Sequence, residues 1–89
     1  MGFRVEISEE LNKKIKKLDK STKRTLYSYI KKNLVDVENP RIKGKALTGN
    51  LKGLWRYRIM DYRLIVDIQD DILVIVAIDF GHNRSKIYK

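Results

Sequence analysis

Between Leu54 and Phe80 the chain alternates apolar and polar residues twice, then runs apolar on both parities, and only Met60-Asp61 and Asp70-Asp71 break the pattern. Period-two alternation over β-branched and aromatic residues predicts half-buried strands. Interruptions of two residues leave no room for a crossover helix, so successive strands must pair as antiparallel hairpins. Trp55, Tyr57, Ile59, Tyr62 and Leu64 then share one face, the face that packs on the rest of the chain, with Trp55 as a core residue. The third segment, Ile72 to Phe80, is apolar at both parities until Asp79 and predicts a central strand covered on both faces.

Counting from two-residue loops fixes a register. Arg58 falls opposite Arg63, Arg56 opposite Ile65, and Arg63 opposite Ile78. Directly opposed residues share a face, as do residues i and i+2 of one strand, so Arg56, Arg58 and Arg63 form one cluster on the face away from the core. Opposed like charges cost on the order of a few tenths to 1 kcal/mol per pair. An anionic ligand accounts for such a penalty better than folding does.

Upstream, Phe3, Val5 and Ile7 alternate with Arg4 and Glu6 as one short strand. Ser8 can cap a helix with Glu9 and Glu10 in its first turn. Leu11, Ile15 and Leu18 form its buried stripe, and Lys13, Lys14, Lys16 and Lys17 a basic outer surface. After a break at Asp19 to Ser21, Ser21 or Thr22 starts a second helix, lined by Leu26, Ile30, Leu34 and Val37 and stopped at Asn39-Pro40. Arg41 to Gly53 reads as an ordered basic loop carrying Lys43, Lys45 and Lys52, with Leu47 and Leu51 tucked in. The expected fold is α+β: a single domain over residues 1–89 of order β-α-α-β-β-β, with an antiparallel sheet packed against a helical hairpin.

The absence of cysteine and the single histidine leave no basis for a thiol nucleophile, a Cys-based zinc site or a His-rich metal centre. No metal and no cofactor is expected. A formal net charge of +9 on 89 residues points to an anionic partner, nucleic acid first. No apolar run reaches the ~20 residues that span a bilayer, and the first residues lack the apolar core of a secretory signal; no membrane association and a cytoplasmic location are expected. Gly81 permits a sharp exit after the last strand, and the tail that follows carries His82, Arg84, Lys86 and Tyr88. A compact turn there would aim His82, Arg84 and Tyr88 at the arginine cluster. Arginine forks match phosphate oxygens, tyrosine stacks on bases, and histidine exchanges protons near neutral pH. Asp67 and Asp79 read as local ion-pair partners. Without a carboxylate cluster for magnesium, phosphodiester cleavage would use the RNA 2′-hydroxyl as nucleophile.

Taken together, the Pro40-Arg41 loop, the Gly44 to Leu54 segment, Tyr62-Arg63-Leu64 and the ending Gly81-His82-Asn83-Arg84-Ser85-Lys86-Ile87-Tyr88 resemble the RelE/ParE superfamily of toxins from type II toxin-antitoxin systems. The resemblance spans essentially the whole chain. It implies a ribosome-dependent endoribonuclease that cuts mRNA in the ribosomal A site, with 16S rRNA contacts, leaving a 2′,3′-cyclic phosphate, and that is held inactive by a cognate acidic antitoxin. On that resemblance Arg63 stabilises the transition state, Arg56 and Arg58 bind and polarise the RNA backbone, and Tyr88 orients the base and helps deprotonate the 2′-hydroxyl. Arg84 or His82 protonates the leaving 5′-oxygen, and Lys43, Lys45, Lys52 and Lys86 are further RNA contacts. The alternative within the same superfamily is a ParE-like inhibitor of DNA gyrase, or a binding toxin of the same fold that cuts nothing.

Overall fold

Local chemistry at Ser8 turns the first strand into the first helix. In the computed structural model, which describes residues 2–82, β1 (Arg4–Ile7) ends one residue before the serine, whose Oγ accepts from Leu11 N at 3.1 Å. Helix α1 (Glu9–Lys16) follows with Leu11 and Ile15 buried, as the stripe predicts. Helix α2 (Lys20–Asn33) starts earlier than Ser21 or Thr22, because Asp19 caps it: its Oδ1 accepts from Thr22 N at 2.7 Å. A carboxylate caps well and also meets the positive end of the helix dipole.

The second helix also stops earlier than the proline would require. It ends at Asn33, and Asp36 turns the chain in the left-handed region at φ 61°. Two backbone bonds explain the early stop: Asp36 N donates to Phe3 O at 2.8 Å, and Phe3 N donates to Val37 O at 3.0 Å. The N-terminus takes up backbone groups that another helical turn would have used.

The predicted loop contains a two-residue strand, β2 (Lys45–Ala46), and a 3-10 turn at Gly49–Leu51, before β3 (Leu54–Ile59), β4 (Tyr62–Gln69) and β5 (Val74–His82). All five strands form one sheet in the order β1-β5-β4-β3-β2, which is antiparallel from β5 to β2. Strand β1 joins parallel to β5, with Val5 beside Ile75 and Ile7 beside Ala77. β5 is thus an interior strand, as its two-sided apolar pattern predicts. The core lies between one sheet face and the helices: Leu26 of α2, Tyr57 of β3, Leu64 and Val66 of β4, and Ile75 and Ala77 of β5 are all fully buried.

Two contacts pin the basic loop to the sheet. The Tyr57 hydroxyl donates to Pro40 O. Burial, and secondarily the neighbouring Tyr29, push the Tyr57 pKa up to about 12, so it stays a donor. Gly44 lies against that ring, where a Cβ would approach Tyr57 Cε1 to 3.0 Å. Arg41 makes a two-pronged bond to Asp70, at 2.9 and 2.7 Å, and lies over the Trp55 ring at 5.5 Å.

Asp19 and Asp70 are both held below their ordinary pKa, Asp19 by its hydrogen bond from Thr22 and Asp70 by its hydrogen bond from Arg41. A carboxylate whose pKa is depressed on folding adds stability above its unfolded pKa and loses it as pH falls through the folded value. The thermal midpoint is therefore expected to drop as pH is lowered below about 4. Asp19→Asn keeps a capping oxygen without the titration and should flatten part of that drop in calorimetry across pH.

Candidate nucleic-acid interface

The tight turn at Met60-Asp61 builds the arginine row. Ile59 pairs with Tyr62, Arg58 with Arg63 and Arg56 with Ile65, the register that a two-residue loop predicts. Met60 takes the left-handed conformation at φ 54° that such a turn needs. On the far side of β3, Lys45 of β2 stands opposite Arg56 and extends the row by one cation.

The three arginines differ in exposure. Arg58 is exposed, and its Nε lies 3.4 Å from Met60 O. Arg56 is half-buried, and Arg63 is fully buried, with its guanidinium donating to His82 O at 2.7 Å. The expected open cluster of three is thus a surface pair, Arg56 and Arg58, with a third charge beneath it. That third charge ties β4 to the end of β5.

The partner of Arg63 across the β4–β5 pair is Gly81, not Ile78. Two features displace the register. The second turn spans residues 70–73 with Leu73 at φ 54°, so Gln69 faces Val74 where a two-residue loop would pair it with Ile72. A bulge between Ile65 and Val66 then adds one more residue on β5: Val66 faces Ala77, and Ile65 faces Asp79. A shift of two keeps every side chain on its face, whereas a shift of one moves it to the other.

His82 shows the consequence. It pairs with Tyr62 rather than with an arginine, and its ring stacks on the Tyr62 ring at 4.5 Å. Tyr62 in turn stacks on Phe80 at 5.0 Å. The imidazole therefore lies on the helix-covered face, beside a cleft that Ile15, Leu18 and Phe80 help to line. Its backbone carbonyl, not its ring, reaches the arginine row. The expectation that His82 joins Arg63 as a proton donor does not fit this placement.

Of the loop lysines, Lys45 is in the row, and Lys52 is exposed two residues before β3. Lys43 is drawn instead to the end of α2, where its Nζ lies 2.7 Å from Asn33 Oδ1. Arg84, Lys86 and Tyr88 lie outside the described residues. Asp79 is an ion-pair partner, but of a distant residue rather than a local one, held by Lys14 at 2.6 Å, while Asp67 accepts a hydrogen bond from Gln69 at 3.1 Å. No local pattern could have announced the Lys14–Asp79 pair, which joins residues 65 positions apart. Among the described residues there is no group of three or more His, Cys, Asp or Glu side chains able to hold a metal ion. No helix among them is long and apolar enough to cross a membrane.

Comparison with known proteins agrees with this architecture. The RelE–RelB complex from the archaeon Pyrococcus horikoshii contains a chain 27% identical over 96% of this chain and 100% of its own, at a TM-score of 0.69. The RelBE2 toxin-antitoxin complex from Mycobacterium tuberculosis matches at a TM-score of 0.83, with 21% identity over 96% of this chain and 95% of that one. The isolated RelE toxin of E. coli matches at 0.73, with 23% identity over 98% and 92%. No curated protein matches the sequence. The family model described as the ParE toxin of type II toxin-antitoxin system, parDE, matches residues 5–87. With residues 5–87 matched by that family model, the chain belongs to the ParE toxin family of type II toxin-antitoxin systems, within the RelE/ParE superfamily.

Proposed function

We propose that this toxin is an endoribonuclease that cuts mRNA on the ribosome, in the cytoplasm, by attack of the 2′-oxygen on the adjacent phosphorus and departure of the 5′-oxygen. The observation that carries the reading is the arginine row: Arg58 directly opposite Arg63, with Arg56 and Lys45 in line beside them. Opposing two arginines costs a folding chain stability, whereas a phosphodiester gains a fixed set of donors for the charge that builds on its oxygens. Arg58 and Arg56 would hold the backbone from the surface, and Arg63 would add positive potential from beneath while fixing the end of β5.

In this reading Tyr88 orients the base and helps to deprotonate the 2′-hydroxyl. With the His82 ring on the helix side, Arg84 takes the position at the leaving oxygen. An arginine is too weak an acid for easy proton transfer, so its part there is to stabilise the developing 5′-oxyanion. In this reading the reaction is metal-independent and driven by the 2′-hydroxyl. The partner that restrains the toxin is an acidic antitoxin, matching the +9 charge. Relatives of similar structure from P. horikoshii and M. tuberculosis are toxin-antitoxin complexes.

The full burial of Arg63 and the ParE family match favour one other reading, a non-cutting toxin that binds DNA gyrase. Primer extension on cellular mRNA after induction separates the two. Cuts phased with codons are expected; intact mRNA with DNA damage would replace the nuclease by the gyrase inhibitor.

A further inference from the structure

The same sheet face that carries the arginine row also carries a cleft that the proposed reaction does not use. Its volume is about 370 Å3. Ile65 of β4 and Ile78 of β5 line it together with Leu54 of β3 and Leu51 of the 3-10 turn. Helix α1 closes the opposite side, because β1 stops at Ile7 and Ser8 N donates to Ala77 O at 2.9 Å, so the helix runs beside the stretch of β5 that β1 leaves uncovered. The four-residue turn and the bulge together set this wall. With a two-residue turn and no bulge Ile78 would face Arg63; the longer turn brings it level with Ile65, and the bulge adds Asp79 beside it.

Polar groups occur at the rim. Glu10, exposed in the first turn of α1, brings one carboxylate. Asp79 brings a second, held by Lys14 Nζ at 2.6 Å and by its contact with Phe80 N at 2.9 Å. Arg56 pairs with Ile65 of the cleft wall, and Leu54 of that wall is its i−2 neighbour on the same face. Those spacings are about 5 Å across strands and about 7 Å along one. Such steps suit a nucleotide whose phosphate lies on Arg56 and whose base reaches over Leu54 and Ile65.

We infer that this cleft is a base pocket for a nucleotide flanking the scissile phosphate, and that it prefers bases carrying an exocyclic amine. The inference rests on the RNA-cutting reading and adds a selectivity device to it. Aliphatic side chains supply flat apolar walls for a ring, and rim carboxylates accept hydrogen bonds from the amino groups of adenine, cytosine and guanine. Uracil offers no amine. A helical peptide fits poorly, since a helix about 10 Å across is too wide for a cleft of this volume.

The test is titration of the methyl-labelled full-length protein with the four ribonucleoside 5′-monophosphates, followed by NMR. Methyl shifts at Leu51, Leu54, Ile65 and Ile78 are expected, with the amine-bearing bases binding about fivefold more tightly than uridine monophosphate. Glu10→Gln should narrow that difference while leaving the Leu26 methyls unmoved, and Leu51→Trp should fill the cleft and abolish the shifts. Shifts that avoid these four residues, equal binding of all four nucleotides, or shifts produced by an acidic antitoxin peptide and by no nucleotide would each overturn the proposal. Primer extension keeps the two readings apart. Codon-phased cleavage without these methyl shifts removes the pocket alone, and methyl shifts with intact mRNA remove the nuclease and leave a nucleotide site.

Discussion

Arg58→Ala is expected to lower mRNA cleavage by about 100-fold, the usual loss when one preorganised donor is taken from a developing charge, while leaving the fold as stable as before. Arg58 is the exposed arginine of the row, and its contact with its own turn is a long 3.4 Å bond to Met60 O. Surface substitutions of this kind change stability by about 0.5 kcal/mol or less. Loss of cleavage with an unchanged thermal midpoint therefore reports on the reaction. Full cleavage by the variant would take Arg58 out of the site. Arg63→Ala is a poorer probe, because that guanidinium is fully buried and bonded to His82 O at 2.7 Å. Its loss would leave a space and a carbonyl short of a donor, and the resulting destabilisation would mimic a catalytic defect.

Leu26→Ala is expected to cost about 3 kcal/mol, within the range for truncating a fully buried leucine. For a domain of this size that corresponds to a fall of roughly 12 to 24 °C in the thermal midpoint. Leu26 is fully buried on α2 and belongs to the cluster that includes Tyr57, Leu64 and Ile75. Calorimetry of the variant checks the packing of the helical hairpin on the sheet. A midpoint within about 3 °C of the wild type, equivalent to less than 1 kcal/mol, would mean that α2 does not pack there.

Much of the fold is legible from local patterns, and its departures have local physical causes. The i, i+4 stripe of Leu11 and Ile15 and the pairing of β3 with β4 come through intact, while Arg63 to Val66 of β4 are buried on both faces. The start of α2 shifts because Asp19 caps better than the later hydroxyls, and its end shifts because residues 36 and 37 pair with Phe3. The clamp of Arg41 on Asp70 and Trp55 joins parts of the chain far apart in sequence, and no short pattern encodes it.

Sequence alone determined the arginine row. A two-residue turn at Met60-Asp61 leaves one register, and alternation on both flanking strands puts Arg56, Arg58 and Arg63 on one face. Only the tertiary structure decided what lies across from that row, because β5 is apolar on both parities and a strand without alternation carries no record of which residues face which side. A four-residue turn and a single bulge then set the outcome: Gly81 beside Arg63, the His82 ring on the helix side, and Ile78 in the wall of a cleft next to Arg56. One inserted residue reverses the faces of everything beyond it, and pairing with β4 fixes where that residue goes.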